Sequence, residues 1–119
     1  GTIVSETIGI DLLNEIIEDY SLTDGDKLVS ADIKNNEIIA VIELVPNELF
    51  SPKDMAITSY SRASDELLNH EGWEFISVEY SGIGTISMNR NEKKTNEWGD
   101  GLFPYRYHYG KVEVIKYLI

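Results

Sequence analysis

The spacing of apolar residues along this chain switches repeatedly between a helical period and a strand period, and the switches divide it into elements. Between residues 10 and 20, Leu12, Leu13, Ile16, Ile17 and Tyr20 recur at i, i+3 and i+4, with Asp11, Glu15 and Glu18 on the opposite side. That pattern predicts a short amphipathic helix with a buried apolar stripe and a charged outer face. Ser21 to Asp26, centred on Asp24-Gly25, reads as a turn.

The period then falls to two. Val29, Ala31 and Ile33 alternate on one run, and Ile38, Ala40 and Ile42 on the next. A two-residue loop at Asn35-Asn36 sets Ile33 against Ile38, Ala31 against Ala40 and Val29 against Ile42, so both apolar sets fall on one face. Asparagine tolerates the positive φ of the type I′ turn that such a loop needs. Ile39, Val41 and Val45 make the second run apolar on its other side as well, which predicts a strand covered on both faces.

Ser51-Pro52-Lys53-Asp54 is a helix start, with an N-cap serine, proline at the first helical position and an acid at the third. The helix is expected to run to about His70, with Gly72 just past its end. Its buried stripe is Ala56, Tyr60, Ala63 and Leu67, flanked by Ile57, Ser64 and Leu68. A second hairpin follows from Trp73 to about Asn89. A three-residue loop, Ser81 to Ile83, opposes Val78 with Ile86 and Ile76 with Met88, and buries more apolar surface than a two-residue loop would. Residues 90–101 read as a polar loop with Trp98 as its large apolar residue. Two further strands are predicted at 102–109 and 111–118. Phe103, Tyr105, Tyr107 and Tyr109 share a face of the first, and a change of parity near Val114-Ile115 suggests a bulge or two-sided burial in the second.

The resulting order predicts one α+β domain over residues 1–119: a mainly antiparallel sheet built from two αββ-like units plus a C-terminal strand pair, with two helices on one face. A chain of 119 residues with 42% hydrophobic and 26% charged residues suits a single globular core.

Charge changes the picture more than composition does. Gly1 to Glu71 holds fifteen acids against four bases, whereas Gly72 to Ile119 holds six of each, so the net −11 belongs to the first part. Such a surface repels nucleic acid and anionic membrane and attracts basic proteins. The absence of cysteine removes disulfides, thiolate metal sites and thiol nucleophiles. No apolar run approaches the length of a membrane span. The Ile-, Asn- and Glu-rich composition resembles that of low-GC bacterial and phage proteins, and with no targeting segment visible a cytoplasmic location is expected. The opening Gly1-Thr2, without an initiator methionine, reads as a processed or engineered N-terminus and leaves room for a removed targeting segment.

Candidate chemistry is sparse. His70 falls at a helix end, where an imidazolium suits the dipole, and His108 lies on a strand face opposite the tyrosines. Asp24-Gly25-Asp26 resembles a fragment of a calcium loop but lacks the later ligands, so it reads as a solvated turn. Asp32 and Glu43 interrupt apolar strands in the manner of edge or solvent-facing positions. Gly82-Ile83-Gly84 lacks both the third glycine and the strand-to-helix setting of a dinucleotide fingerprint. Tyr105 to Lys111 with Arg90, Lys93 and Lys94 interleaves aromatics and cations, but alternation sends them to opposite faces, as in an ordinary half-buried strand. No catalytic set, cofactor or metal site is legible.

The expected function is therefore a small acidic, non-enzymatic protein-binding module that occupies a basic surface, in the manner of an inhibitor, an immunity protein or a nucleic-acid mimic. Asp11, Glu15, Glu18, Asp24 and Asp26 are its candidate binding acids. Trp98 either pins its loop or anchors a partner. The alternatives are a structural component assembling through edge strands such as 102–109 or 111–118, or a ligand-binding domain or enzyme with a pocket near His70, His108 or Trp98.

Overall fold

A computed structural model of the protein describes residues 7–92, 94–95, 101–109 and 112–118. The chain begins with helix α1 (Ile10–Ile16), which continues into a π-helical turn, Ile17–Ser21. Strands β1 (Lys27–Lys34) and β2 (Glu37–Glu43) form the first hairpin, and helix α2 (Pro52–Leu67) follows. Strands β3 (Phe75–Tyr80) and β4 (Gly84–Asn89) form the second hairpin. A 3₁₀ turn, Arg90–Glu92, leads to the short β5 (Lys94–Thr95), and β6 (Gly101–Tyr109) and β7 (Val112–Leu118) complete the sheet.

The fold is α+β, with a mixed and mostly antiparallel sheet and both helices against one face. Neighbouring strands run β1-β2-β3-β4-β6, with β5 and β7 also paired to β6. Among the described strands the single parallel pair is β2 with β3, and an isolated parallel bridge joins Thr7 to Glu71. The strand pair arises because α2 carries the chain back along the sheet between β2 and β3, as a crossover helix must. The core gathers Leu13, Ile16 and Ile17 from the first helical segment, the α2 stripe, and the inward residues Ile38, Ala40, Ile42, Ile76, Val78, Ile86 and Met88. Ala56, Ala63 and Ser64, all buried, let α2 lie close to the sheet.

Asn35 and Asn36 adopt φ of 53° and 63°, as a type I′ turn requires. The first hairpin keeps the expected pairs Ile33 with Ile38 and Ala31 with Ala40, then slips at a bulge that sets Leu28, not Val29, against Ile42. Val29 is thereby turned out, at 54% exposure. The second hairpin has the three-residue loop, with Val78 against Ile86 and Ile76 against Met88. Gly84 opens β4 where a β-carbon would stand 2.5 Å from the carbonyl oxygen of His108. Only glycine allows β6 to approach that closely there.

Further expectations are corrected. Tyr20 is 45% exposed, and Ser21 is buried in its place, because i→i+5 closure widens the last turn and rotates the later residues. Helix α2 ends at Leu67, three residues early, and the chain turns through Leu68 and Asn69. Strand β2 is not covered on both sides: Ile39 is exposed, since no helix among the described residues covers its face of the sheet. Strand β7 pairs with β6 from Val112 to Leu118 without a register shift, which removes the bulge alternative for its parity change, while two-sided burial concerns side chains outside the described ones. Of the four aromatics assigned to one face of β6, Tyr107 has a described side chain, and it is buried.

Candidate interaction surfaces

The outer side of the first helical segment is built by elimination. Leu13, Ile16 and Ile17 turn into the core, and that fixes Asp11, Glu15 and Glu18 outward at i, i+4 and i+7. All three are exposed, as is Asp24 in the following loop. The ion pairs among the described residues are Lys34–Asp32, His70–Glu66 and Arg106–Glu92, and none includes these acids. Ile10 and Tyr20 stand in the same segment at 47% and 45% exposure, so the charges have apolar neighbours.

Asp26 is placed differently. One carboxylate oxygen accepts from the N–H and hydroxyl of Thr23, and the other accepts from the N–H of Val45 at 2.8 Å. It is half-buried and joins two loops. Trp98 lies outside the described residues.

Beside this segment, a groove of about 330 Å³ opens between the 21–26 loop, the loop from Leu44 to Phe50, and α2. Leu44 and Met55 supply apolar lining, while Phe50 at 59% exposure stands at its rim. Phe50 and Met55 occupy the N′ and N4 positions of a hydrophobic staple at the start of α2. Along α2, Asp54, Thr58 and Arg62 line the groove at successive i, i+4 spacing. Behind it, the Ser21 hydroxyl donates to the Ser59 carbonyl at 2.5 Å, and Tyr80 donates to the Ser59 hydroxyl at 3.0 Å. Burial pushes the Tyr80 phenol far above its usual range, the Ser59 hydrogen bond opposing weakly, and burial does the same to Tyr60.

Neither histidine lines the groove. His70 Nε2 stands 3.4 Å from Glu66, and its Nδ1 is buried without a hydrogen-bond partner among the described residues. The cation at the end of α2 is Arg90, whose guanidinium donates to the carbonyls of Leu68, His70 and Trp73 and lies 4.6 Å from the centre of the Trp73 ring. Among the described residues no cluster of three or more His, Cys, Asp or Glu is arranged to hold a metal, and no helix is long and apolar enough to cross a membrane. The groove escaped sequence reasoning because its walls come from three separated segments. The available signal was Leu49-Phe50, two large apolar residues directly before a helix cap.

Comparison with protein-family models, with curated proteins and with solved structures gives no match in any of the three.

Proposed function

We propose that this protein is a small acidic, non-enzymatic binding module that docks on a basic protein surface through the outer face of α1 and its π-helical turn. The observation that carries this reading is the exposed, unpaired set Asp11, Glu15, Glu18 and Asp24, held on a segment whose inner side is locked into the core. Fixed acids of one sign steer a basic partner and select against acidic ones. Tyr20 and Ile10, exposed on the same segment, add the apolar contact that charge alone lacks, and tyrosine is enriched among residues that dominate binding energy. Nucleic acid and anionic membrane are disfavoured by the same charge, and the function calls for no cofactor.

The test is capture with this protein as bait at about 0.05 M and about 0.5 M salt, a range over which the Debye length shrinks severalfold. The expected result is a basic protein bound at low salt and shed at high salt. The triple variant D11K/E15K/E18K should lose it while keeping its unfolding midpoint. Unchanged affinity and salt dependence in that variant would remove the helix face from the mechanism.

Self-assembly through sheet edges is the second reading. Strand β6 is flanked by β4 and β7, so residues 102–109 are interior, and edge pairing would fall to β1 or β7. The bulge at Val29 and the charges Lys27, Asp32 and Lys34 are features that blunt an edge such as β1. A light-scattering mass of two or more chains at tens of micromolar would favour this reading over the first.

A further inference from the structure

We infer that the groove between α2 and the 44–50 loop receives an extended segment of a partner protein, with a basic residue at one end, an apolar residue in the middle and an acidic residue at the other end. Asp54 and Arg62 stand eight positions apart on α2, about 12 Å along the axis at 1.5 Å per residue. In an extended chain, residues i, i+2 and i+4 face the same way and the outer two are about 13 Å apart. A strand-like segment laid along α2 thus puts its first and fifth side chains beside opposite charges.

The ends are free to act. Asp54 and Arg62 are both exposed, both line the groove, and neither takes part in an ion pair among the described residues. Their mutual separation prevents them from neutralising each other. Apolar lining accompanies these charges: Leu44 and Met55 line the groove beside Thr23, Asp26 and Asn47, and Phe50 stands at its rim. Thr58, halfway along the stripe, offers a hydroxyl to the backbone of the segment. The groove is thus complementary to a mixed sequence, unlike the uniformly acidic face of α1. It works without Asp11, Glu15 and Glu18, so the two surfaces can be tested apart.

The experiment is a titration of the ¹⁵N-labelled protein with the capped pentapeptide KAFAD, followed by amide shifts, with KAFAK and DAFAD as controls. KAFAD should shift Thr23, Asn47, Thr58 and Arg62 with a single saturating isotherm, and bind roughly threefold to fivefold more tightly than either control. Charge reversal at each end should exchange the preference: R62E should favour KAFAK and D54K should favour DAFAD. A merely structural role for either residue would not move peptide ranking in this way. The inference is overturned if millimolar KAFAD shifts no groove amide, or if the three peptides keep one ranking across the variants. Concentration-dependent shifts of the same amides without peptide would also overturn it, since the occupant would then be a second copy of the chain. The D11K/E15K/E18K variant should bind KAFAD as the parent does.

Discussion

Asp26 accepts the backbone N–H of Val45 at 2.8 Å, across nineteen residues of chain, and so ties the loop after the π-helical turn to the loop after β2. Both loops border the groove. The same carboxylate receives the N–H and hydroxyl of Thr23. Replacing Asp26 by Ala should therefore cost about 1–2 kcal/mol in urea unfolding, the lower end of charged hydrogen bonds because the site is half-exposed. D24A, at an exposed position, should stay within about 0.5 kcal/mol of the parent. Equal losses at the two positions would show that the inter-loop bond contributes nothing.

Arg90 provides the second prediction. It satisfies carbonyls at the end of α2 and stacks on Trp73, whose own Nε1 donates to Leu67 at 2.9 Å. R90A should cost about 2–3 kcal/mol, since several carbonyls and the stacking contact are lost together. R90K should recover little of that, because an ammonium cannot reach a fan of acceptors as a planar guanidinium does. Thermal melts of the two variants decide it: full recovery with lysine would reduce the role of Arg90 to charge alone.

The buried tyrosines set an alkaline limit. Desolvation holds the phenols of Tyr60 and Tyr80 above their ordinary value near 10 in the folded state. Below about pH 10 both states keep these protons and the pair adds no pH dependence. Above it the unfolded chain releases them while the native fold does not, so stability falls as pH rises, by about 1.4 kcal/mol per unit for each tyrosine. Y80F should show about half the parent's loss attributable to the pair between pH 10 and 12. Its stability at neutral pH should drop by about 1 kcal/mol for the hydrogen bond to Ser59. Chemical denaturation at a series of pH values gives both numbers, and parallel curves for parent and Y80F would refute the assignment.

Gly84 gives the fourth. A methyl group there meets the His108 carbonyl and the Tyr107 ring, which is held by a hydrogen bond from its hydroxyl to the Ile83 carbonyl at 3.0 Å. G84A should destabilise by more than about 2 kcal/mol through displacement of β6 from β4, whereas G82A, with open space around it, should cost only the strain of its positive φ, about 1 kcal/mol. Hydrogen exchange at Thr85 to Met88 should accelerate in G84A and not in G82A. Equal protection in the two variants would contradict the close-approach account.

Much of the architecture was written locally. The type I′ turn at Asn35-Asn36, the serine cap and proline start of α2, its Ala56, Tyr60, Ala63 and Leu67 stripe, and the three-residue loop of the second hairpin all depend on neighbours within a few positions. Sequence therefore determined them: local sterics, capping and two-residue or 3.6-residue periodicity need no distant partner. The position of Tyr20, the bulge at Val29 and the exposure of Ile39 were different, because each is decided by what another element leaves room for. The π-helical turn brings Ser21 inside in place of Tyr20, where its hydroxyl donates to the Ser59 carbonyl of α2.

The same division holds for the candidate surfaces. The acids of α1 were legible as one face, because helical periodicity alone puts Asp11, Glu15 and Glu18 together. That Asp26 bonds across to Val45, that Arg90 closes α2, and that Leu44, Phe50 and Arg62 border one groove were settled only by the fold. Such contacts join segments tens of residues apart, and short-range chemistry cannot specify which distant groups the packed core will bring within hydrogen-bond reach.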